Sequence, residues 1–115
     1  QDGILTTGAN KVILNATGNI SETSSSYVLG NVESTRTLTL ASNSFGNMGL
    51  TFKANGAQPG STVVLRNTGI ALPLGCGNAS VLRNFTITPT VTSGLNANVS
   101  FTFNPSAELN GLNQN

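Results

Sequence analysis

No stretch of this 115-residue sequence longer than a turn or two repeats its apolar residues with the 3.6-residue period of a helix. Short runs rich in Val, Ile, Leu, Thr and Phe dominate instead, and clusters of Gly, Asn, Ser and Pro separate them. Runs of this kind, bounded by turn residues, are typical of β-strands. We therefore predict an all-β fold with about seven strands, arranged as one antiparallel, immunoglobulin-like β-sandwich over residues 1–115.

The strands are predicted over residues 11–16, 27–32, 34–40, 50–52, 61–67, 81–88 and 97–103. The last of these has the clearest alternation, which places Val99, Phe101 and Phe103 inward. The predicted core consists of Val12, Leu14, Val28, Leu38, Leu40, Leu50, Phe52, Val63, Leu65, Phe85, Ile87, Val99, Phe101 and Phe103. A short β-solenoid in the N-terminal third is the structural alternative, because residues 3–5 and 12–14 resemble successive rungs around a loop.

The composition restricts the function classes. Only 8% of the residues are charged and the net charge is +1, with the Lys and Arg residues scattered singly along the chain. A face that binds nucleic acid needs clustered Lys and Arg, so no nucleic-acid partner is expected. No apolar stretch approaches the roughly 18 residues needed for a membrane-spanning helix, so membrane insertion is not expected.

Residues suited to catalysis are few. The chain has no His to activate the single cysteine, Cys76, which we interpret as an incidental loop residue. The four acids are well separated in sequence, whereas a glycosidase needs two carboxylates that face each other. We predict a protein that is not an enzyme, with no catalytic, cofactor-binding or metal-binding residue. Weak calcium binding between adjacent modules, through Asp2 or Glu108, stays open as an alternative.

Seven short motifs follow one another along most of the chain, and their order is similar to that of a known family. They are Asp2-Gly3-Ile4-Leu5-Thr6-Thr7-Gly8-Ala9-Asn10, Phe45-Gly46-Asn47-Met48-Gly49-Leu50, Pro59-Gly60-Ser61-Thr62, Arg66-Asn67-Thr68-Gly69, Ile87-Thr88-Pro89-Thr90, Ser93-Gly94-Leu95-Asn96-Ala97 and Ala107-Glu108-Leu109-Asn110-Gly111-Leu112. This order resembles a module of large Bacteroidetes surface and secreted proteins, which are typically exported by type IX secretion and include gliding and adhesin-like filaments. The resemblance implies an extracellular location and a tandem array or polymer of modules, and it brings no catalytic residue.

We therefore expect a structural or adhesive module of a bacterial cell-surface filament or giant adhesin, whose partners are neighbouring copies. Related modules continue past the Glu-Leu-Asn-Gly-Leu segment into a further apolar strand. We therefore expect either that this region belongs to a longer polypeptide or that a neighbour's strand completes an open sheet edge. The predicted contact residues are Gln1, Asp2, Gly3, Ile4, Glu108, Leu109, Asn110, Gly111 and Leu112. The alternative is a carbohydrate-binding module that recognises surface glycans, with Tyr27 as the aromatic residue expected at the surface.

Overall fold

Six strands and one short helix form the part of the chain that the computed structural model describes, residues 2–73 and 80–113. In chain order the elements are β1 (Ile4–Leu14), β2 (Tyr27–Leu38), β3 (Leu50–Ala54), β4 (Gly60–Thr68), β5 (Arg83–Pro89), β6 (Ala97–Phe101) and helix α1 (Pro105–Glu108). A four-stranded sheet has the order β1-β2-β4-β5, and β3 pairs with β6 in a two-stranded sheet. The predicted all-β class is confirmed. Within the described residues, no helix is long and apolar enough to cross a membrane.

The four-stranded sheet is mixed rather than antiparallel. The pairs β2–β4 and β4–β5 are antiparallel, whereas β1 runs parallel to β2. A parallel pair cannot be closed by a tight hairpin and needs a connection of about a dozen residues or more. Residues 15–26 provide that connection, and Ile20 within it packs against the core. The prediction of a purely antiparallel fold is therefore wrong for β1.

Strand β1 also replaces the predicted solenoid rungs. Residues 4–5 and 12–14 belong to this one strand and pair with successive parts of β2. The register shifts between Thr6 and Lys11, where Gly8 has a φ of 58°. Glycine adopts this left-handed conformation without a steric penalty, so the chain bulges and the strand then continues. The solenoid alternative is wrong because the predicted loop is a bulge.

Strand β2 joins two predicted strands into one. The segments predicted over 27–32 and 34–40 form a single ladder that ends where Leu38 pairs with Gly60. Leu40 lies beyond this last pair and is exposed. Its assignment to the core was wrong, because the alternation in the sequence continues past the point where the partner strand ends.

One apolar cluster contains residues from both sheets, and its buried members are Leu14, Val28, Val32, Leu38, Phe45, Met48, Leu50, Phe52, Ala54 and Val64. The predicted core residues that are confirmed as buried are Leu14, Val28, Leu38, Leu50 and Phe52. Three further predicted core residues are partly buried against the cluster, namely Val12, Phe85 and Ile87. The alternation of apolar residues therefore located much of the core.

Strand β4 turns the opposite face inward from the one predicted. Val64 is buried, whereas Val63 and Leu65 are only half-buried. Three consecutive apolar residues allow either face to point inward, so the sequence pattern could not decide between them. Pairing with β2 decides it, because Val64 lies opposite the buried Ser34. The buried face of β4 comprises Thr62, Val64, Arg66 and Thr68.

Strand β6 is where predicted, but its predicted burial is wrong. Phe101 is 58% exposed, and Val99 and Phe103 are each 37% exposed. The four-stranded sheet ends at β5. Among the described residues, no strand beyond β5 covers these side chains.

Candidate functional site

Val99, Phe101 and Phe103 form an exposed apolar surface that we call the β6 face. Val99 pairs with Phe52 and Phe101 pairs with Leu50 across the two-stranded sheet. Directly paired residues of antiparallel strands point to the same side of a sheet. The β6 face therefore continues the face of β3 that packs into the core. Phe52 and Leu50 are only 4% and 1% exposed, so the same side of one sheet is covered at β3 and uncovered at β6.

The β6 face borders an apolar groove of about 330 Å³, whose lining residues are Leu72, Val81, Arg83, Asn84, Phe85, Phe101 and Phe103. The rings of Phe85 on β5 and Phe101 on β6 are in contact, with their centroids 5.4 Å apart. Within the described residues, β5 pairs only with β4, and β6 pairs only with β3. Each strand thus has one open side, and an open side presents unpaired backbone N–H and C=O groups.

Four charged side chains meet beneath the β1–β2 connection: Glu22, Arg66, Arg83 and Glu108, which we call the charge cluster. Arg66 holds Glu22 with two hydrogen bonds, from Nη1 to Oε2 (2.7 Å) and from Nη2 to Oε1 (2.8 Å). The Nη2 of Arg83 lies 2.5 Å from Glu108 Oε1 and 3.8 Å from Glu22 Oε2. The side chains of Arg66 and Glu108 are fully buried. Two positive and two negative groups leave the cluster without net charge.

Burial by itself raises the pKa of Glu22, because the ionised carboxylate loses hydration. The hydrogen bonds donated by Arg66 and by the Val28 N–H, together with the charges of Arg66 and Arg83, outweigh this effect. The pKa of Glu22 therefore lies below its ordinary value. Glu22 remains ionised near neutral pH, and its bonds tie the β1–β2 connection to β4.

A surface cleft of about 480 Å³ lies above the charge cluster, and we call it the Tyr27 cleft. Its lining residues are Ile20, Ser21, Glu22, Thr23, Ser24, Tyr27, Asn47, Gly49, Arg83, Thr102, Phe103, Asn104 and Pro105. Tyr27 is half-buried, and Phe103 is one of the exposed residues of the β6 face. Asn47 enters from the turn that precedes β3, where its φ of 62° is a conformation that Asn tolerates well. The cleft thus combines two aromatic rings with hydroxyl and amide groups.

The predicted contact residues at the start of the chain lie against a serine-rich turn, residues 24–26. Asp2 accepts a hydrogen bond from this turn (2.9 Å), and the Gly3 N–H donates one to it (3.0 Å). The side-chain amide of Asn104, just before α1, donates to the same turn (3.0 Å). The turn therefore connects the beginning of the chain to its C-terminal segment. Gln1 lies outside the described residues, and the exposed members of this set are Asp2, Gly3 and Ile4.

The predicted contact residues near the C-terminus differ in exposure. Glu108 is buried, and its backbone carbonyl accepts a hydrogen bond from the Leu82 N–H (2.8 Å). Leu109 is half-buried. Asn110, Gly111 and Leu112 are exposed. A neighbouring module could therefore reach residues 110–112 directly but not the Glu108 carboxylate.

The Glu108 carboxylate is already bound within the chain. One oxygen accepts from Arg83, and the other accepts from the Asn104 N–H (3.1 Å). In the described residues, no group of three or more His, Cys, Asp or Glu side chains could hold a metal ion. Weak calcium binding stays a prediction. Cys76 lies outside the described residues, and its interpretation as a loop residue is untested.

Sequence reasoning missed the charge cluster. It treated the basic residues as scattered singly along the chain and the acids as well separated in sequence. One signal of a buried ion pair was available in the sequence. Arg66 lies within a predicted strand, and an arginine that is buried there requires an ionised partner. The identity of that partner was not readable, since Glu22 is 44 positions away in the chain. Phe103 was also missed as a surface aromatic, since alternation alone placed it inward.

Comparison with protein-family models, with curated proteins and with solved structures found no match to this chain.

Proposed function

We propose that this chain is a structural and adhesive β-sandwich module of an extracellular bacterial filament or giant adhesin, and that its β6 face packs against a neighbouring copy. The observation that carries the proposal is the exposure of Val99, Phe101 and Phe103 on the same side of the sheet as the buried Leu50 and Phe52. Contiguous apolar surface of this kind, continuous with buried core residues of the same sheet, is characteristic of an interaction site.

The open sides of β5 and β6 support a specific form of contact. A strand added beside β5 would extend the four-stranded sheet underneath the β6 face. Its backbone would pair with the open edge, and its alternate side chains would fill the groove around Phe85 and Phe101. This mode of association places hydrogen bonds and apolar burial at the same interface.

Charge favours a second copy of the module as the donor. Arg83 is the one charged residue that lines the described groove, and Glu108 neutralises it. A neighbour with the same composition, in which only 8% of residues are charged, can approach without strong electrostatic repulsion. A contact between β5 of one copy and a different strand of the next copy is head-to-tail, and a head-to-tail contact that does not close into a ring produces a linear polymer.

The extracellular location, type IX export and the array itself are supported by the motif order in the sequence. The exposed segment 110–112 and the exposed residues near Asp2 would complete the contact between successive modules. No chemical step is assigned to the module. Its role is mechanical continuity, because hydrogen-bonded ladders and a packed core resist extension.

The test is sedimentation velocity of the chain over a range of protein concentrations. We expect concentration-dependent self-association that Phe101→Thr weakens by about tenfold, since burying a phenylalanine contributes roughly 1.5–3 kcal/mol and about half of this side chain is still exposed. Leu40→Thr is the matched control, because Leu40 is also an exposed apolar residue (44%) but lies just beyond the end of β2, outside both the β6 face and the residues near Asp2. A chain that stays monomeric throughout, or equal effects of the two variants, would contradict the proposal.

A further inference from the structure

We infer that the Tyr27 cleft binds a neutral sugar, through residues that include Phe103 of the β6 face. The cleft has a volume of about 480 Å³. This lies in the lower part of the roughly 300–1,000 Å³ range of small-molecule sites. A cleft of this size suits one or two sugar units, with the remainder of a longer glycan extending into solvent.

The two aromatic residues of the cleft match the apolar part of a sugar. A pyranose ring has a face made of C–H groups and a rim of hydroxyl groups. Tyr27 and Phe103 both line the cleft, from the start of β2 and from the segment after β6. An aromatic ring can pack against the C–H face, and the tyrosine also offers a hydroxyl group to the polar rim.

The polar groups of the cleft match the sugar rim. Ser21, Ser24, Asn47 and Thr102 line the cleft and are exposed, so their hydroxyl and amide groups are accessible to a ligand. Hydroxyl and amide groups both donate and accept hydrogen bonds, as sugar hydroxyls do. In addition, the Nε of Arg83 is buried and has no hydrogen-bond partner among the described residues.

The charges select against ionic ligands. Glu22 and Arg83 are the charged residues that line the described cleft, and both are paired within the charge cluster. The cluster sums to zero, so it offers no excess charge to an acidic or a basic ligand. It also fixes the cleft walls, because Glu22 anchors the β1–β2 connection and Glu108 anchors the segment at Asn104. A preformed site loses less entropy on binding.

The chain carries its own reporter for this site. Tyr27 is the single tyrosine and there is no tryptophan, so the tyrosine emission of the protein originates in the cleft. The experiment titrates the chain with cellotetraose, mannotetraose and chitotetraose and follows tyrosine emission. We expect a saturable change with at least one of these sugars.

Two matched variants test the location. Asn47→Gly removes an amide from the cleft, whereas Asn96→Gly removes one from a loop elsewhere. Both residues have positive φ (62° and 44°), so glycine is tolerated at each. Asn47→Gly should weaken sugar binding by about three- to tenfold, the effect of one net hydrogen bond, and Asn96→Gly should not change it.

The proposal is overturned if none of the three sugars produces a saturable change, if only a peptide does, or if the two variants weaken binding equally. Repeating the titration on Phe101→Thr separates this site from assembly. Sugar binding that persists in that variant, whatever its association state, shows that the two proposals stand or fail separately.

Discussion

Replacing Arg66 with methionine should be among the most destabilising single substitutions in this protein. The guanidinium is fully buried and makes both hydrogen bonds to Glu22, and it also donates to the carbonyl oxygens of Met48 (3.2 Å) and Val28 (3.4 Å). Methionine is shorter, but it matches the arginine stem and keeps the apolar packing of that stem. The substitution therefore removes the guanidinium with its charge and donors and leaves the rest of the side chain in place.

The expected loss follows from what remains around Glu22. Removing one partner of a buried ion pair typically costs about 3–5 kcal/mol, because the other charge is left uncompensated. Glu22 is 15% exposed and keeps the Val28 N–H and the more distant Arg83. We therefore expect a loss near the lower end of that range, about 3 kcal/mol. This is a large part of the roughly 5–15 kcal/mol by which domains are stable.

Urea denaturation followed by far-ultraviolet circular dichroism measures the loss as a shift of the midpoint. The double variant Glu22→Gln with Arg66→Met is the informative companion. Once Arg66 is absent, removing the stranded charge of Glu22 should restore part of the stability, so the two substitutions should not add. A loss below about 1 kcal/mol for Arg66→Met alone, or simple additivity in the double variant, would refute the argument that the pair stabilises the fold as a unit.

Three further predictions concern pH, packing and backbone conformation. Because the pKa of Glu22 is lowered in the folded protein, the free energy of unfolding should fall as pH decreases below about 4.5. Urea titrations at pH 7 and pH 3.5 measure this pH dependence, and Glu22→Gln should reduce it. Leu50→Ala should lower the free energy of unfolding by about 2–5 kcal/mol. Phe101→Thr, on the same side of the sheet, should lower the stability of the monomer by less than half as much, as thermal unfolding would show. Equal losses of stability would mean that Phe101 is covered. Gly30→Ala should destabilise the fold more than Gly8→Ala. Gly30 has a φ of 113° and a methyl group added there meets a threonine side chain, whereas Gly8 has a φ of 58° and a methyl group added there meets open space. Urea midpoints that rank the two variants in the reverse order would exclude this explanation.

Local residue patterns were enough to predict the all-β class, most strand positions and part of the core. Alternation across residues 50–52 and 97–103 identified both strands, and it assigned Phe52 and Val99 to equivalent sides of them. These properties are local, since the direction of a side chain on a strand depends only on its position in the period of two. The same reasoning named Tyr27 as a surface aromatic, and the structure places it half-buried in a cleft.

Which of those faces is covered depends on contacts between strands that are distant in the sequence. Val99 and Phe101 have the pattern of core residues, yet their exposure depends on how many strands the opposite sheet contains. The inward face of β4 was likewise set by its pairing with β2, because residues 63–65 are apolar on both faces. The parallel direction of β1 and the bond between Arg66 and Glu22 also join residues far apart in the chain. Burial, pairing and partner choice are properties of contacts between distant segments, and no local period in a sequence encodes them.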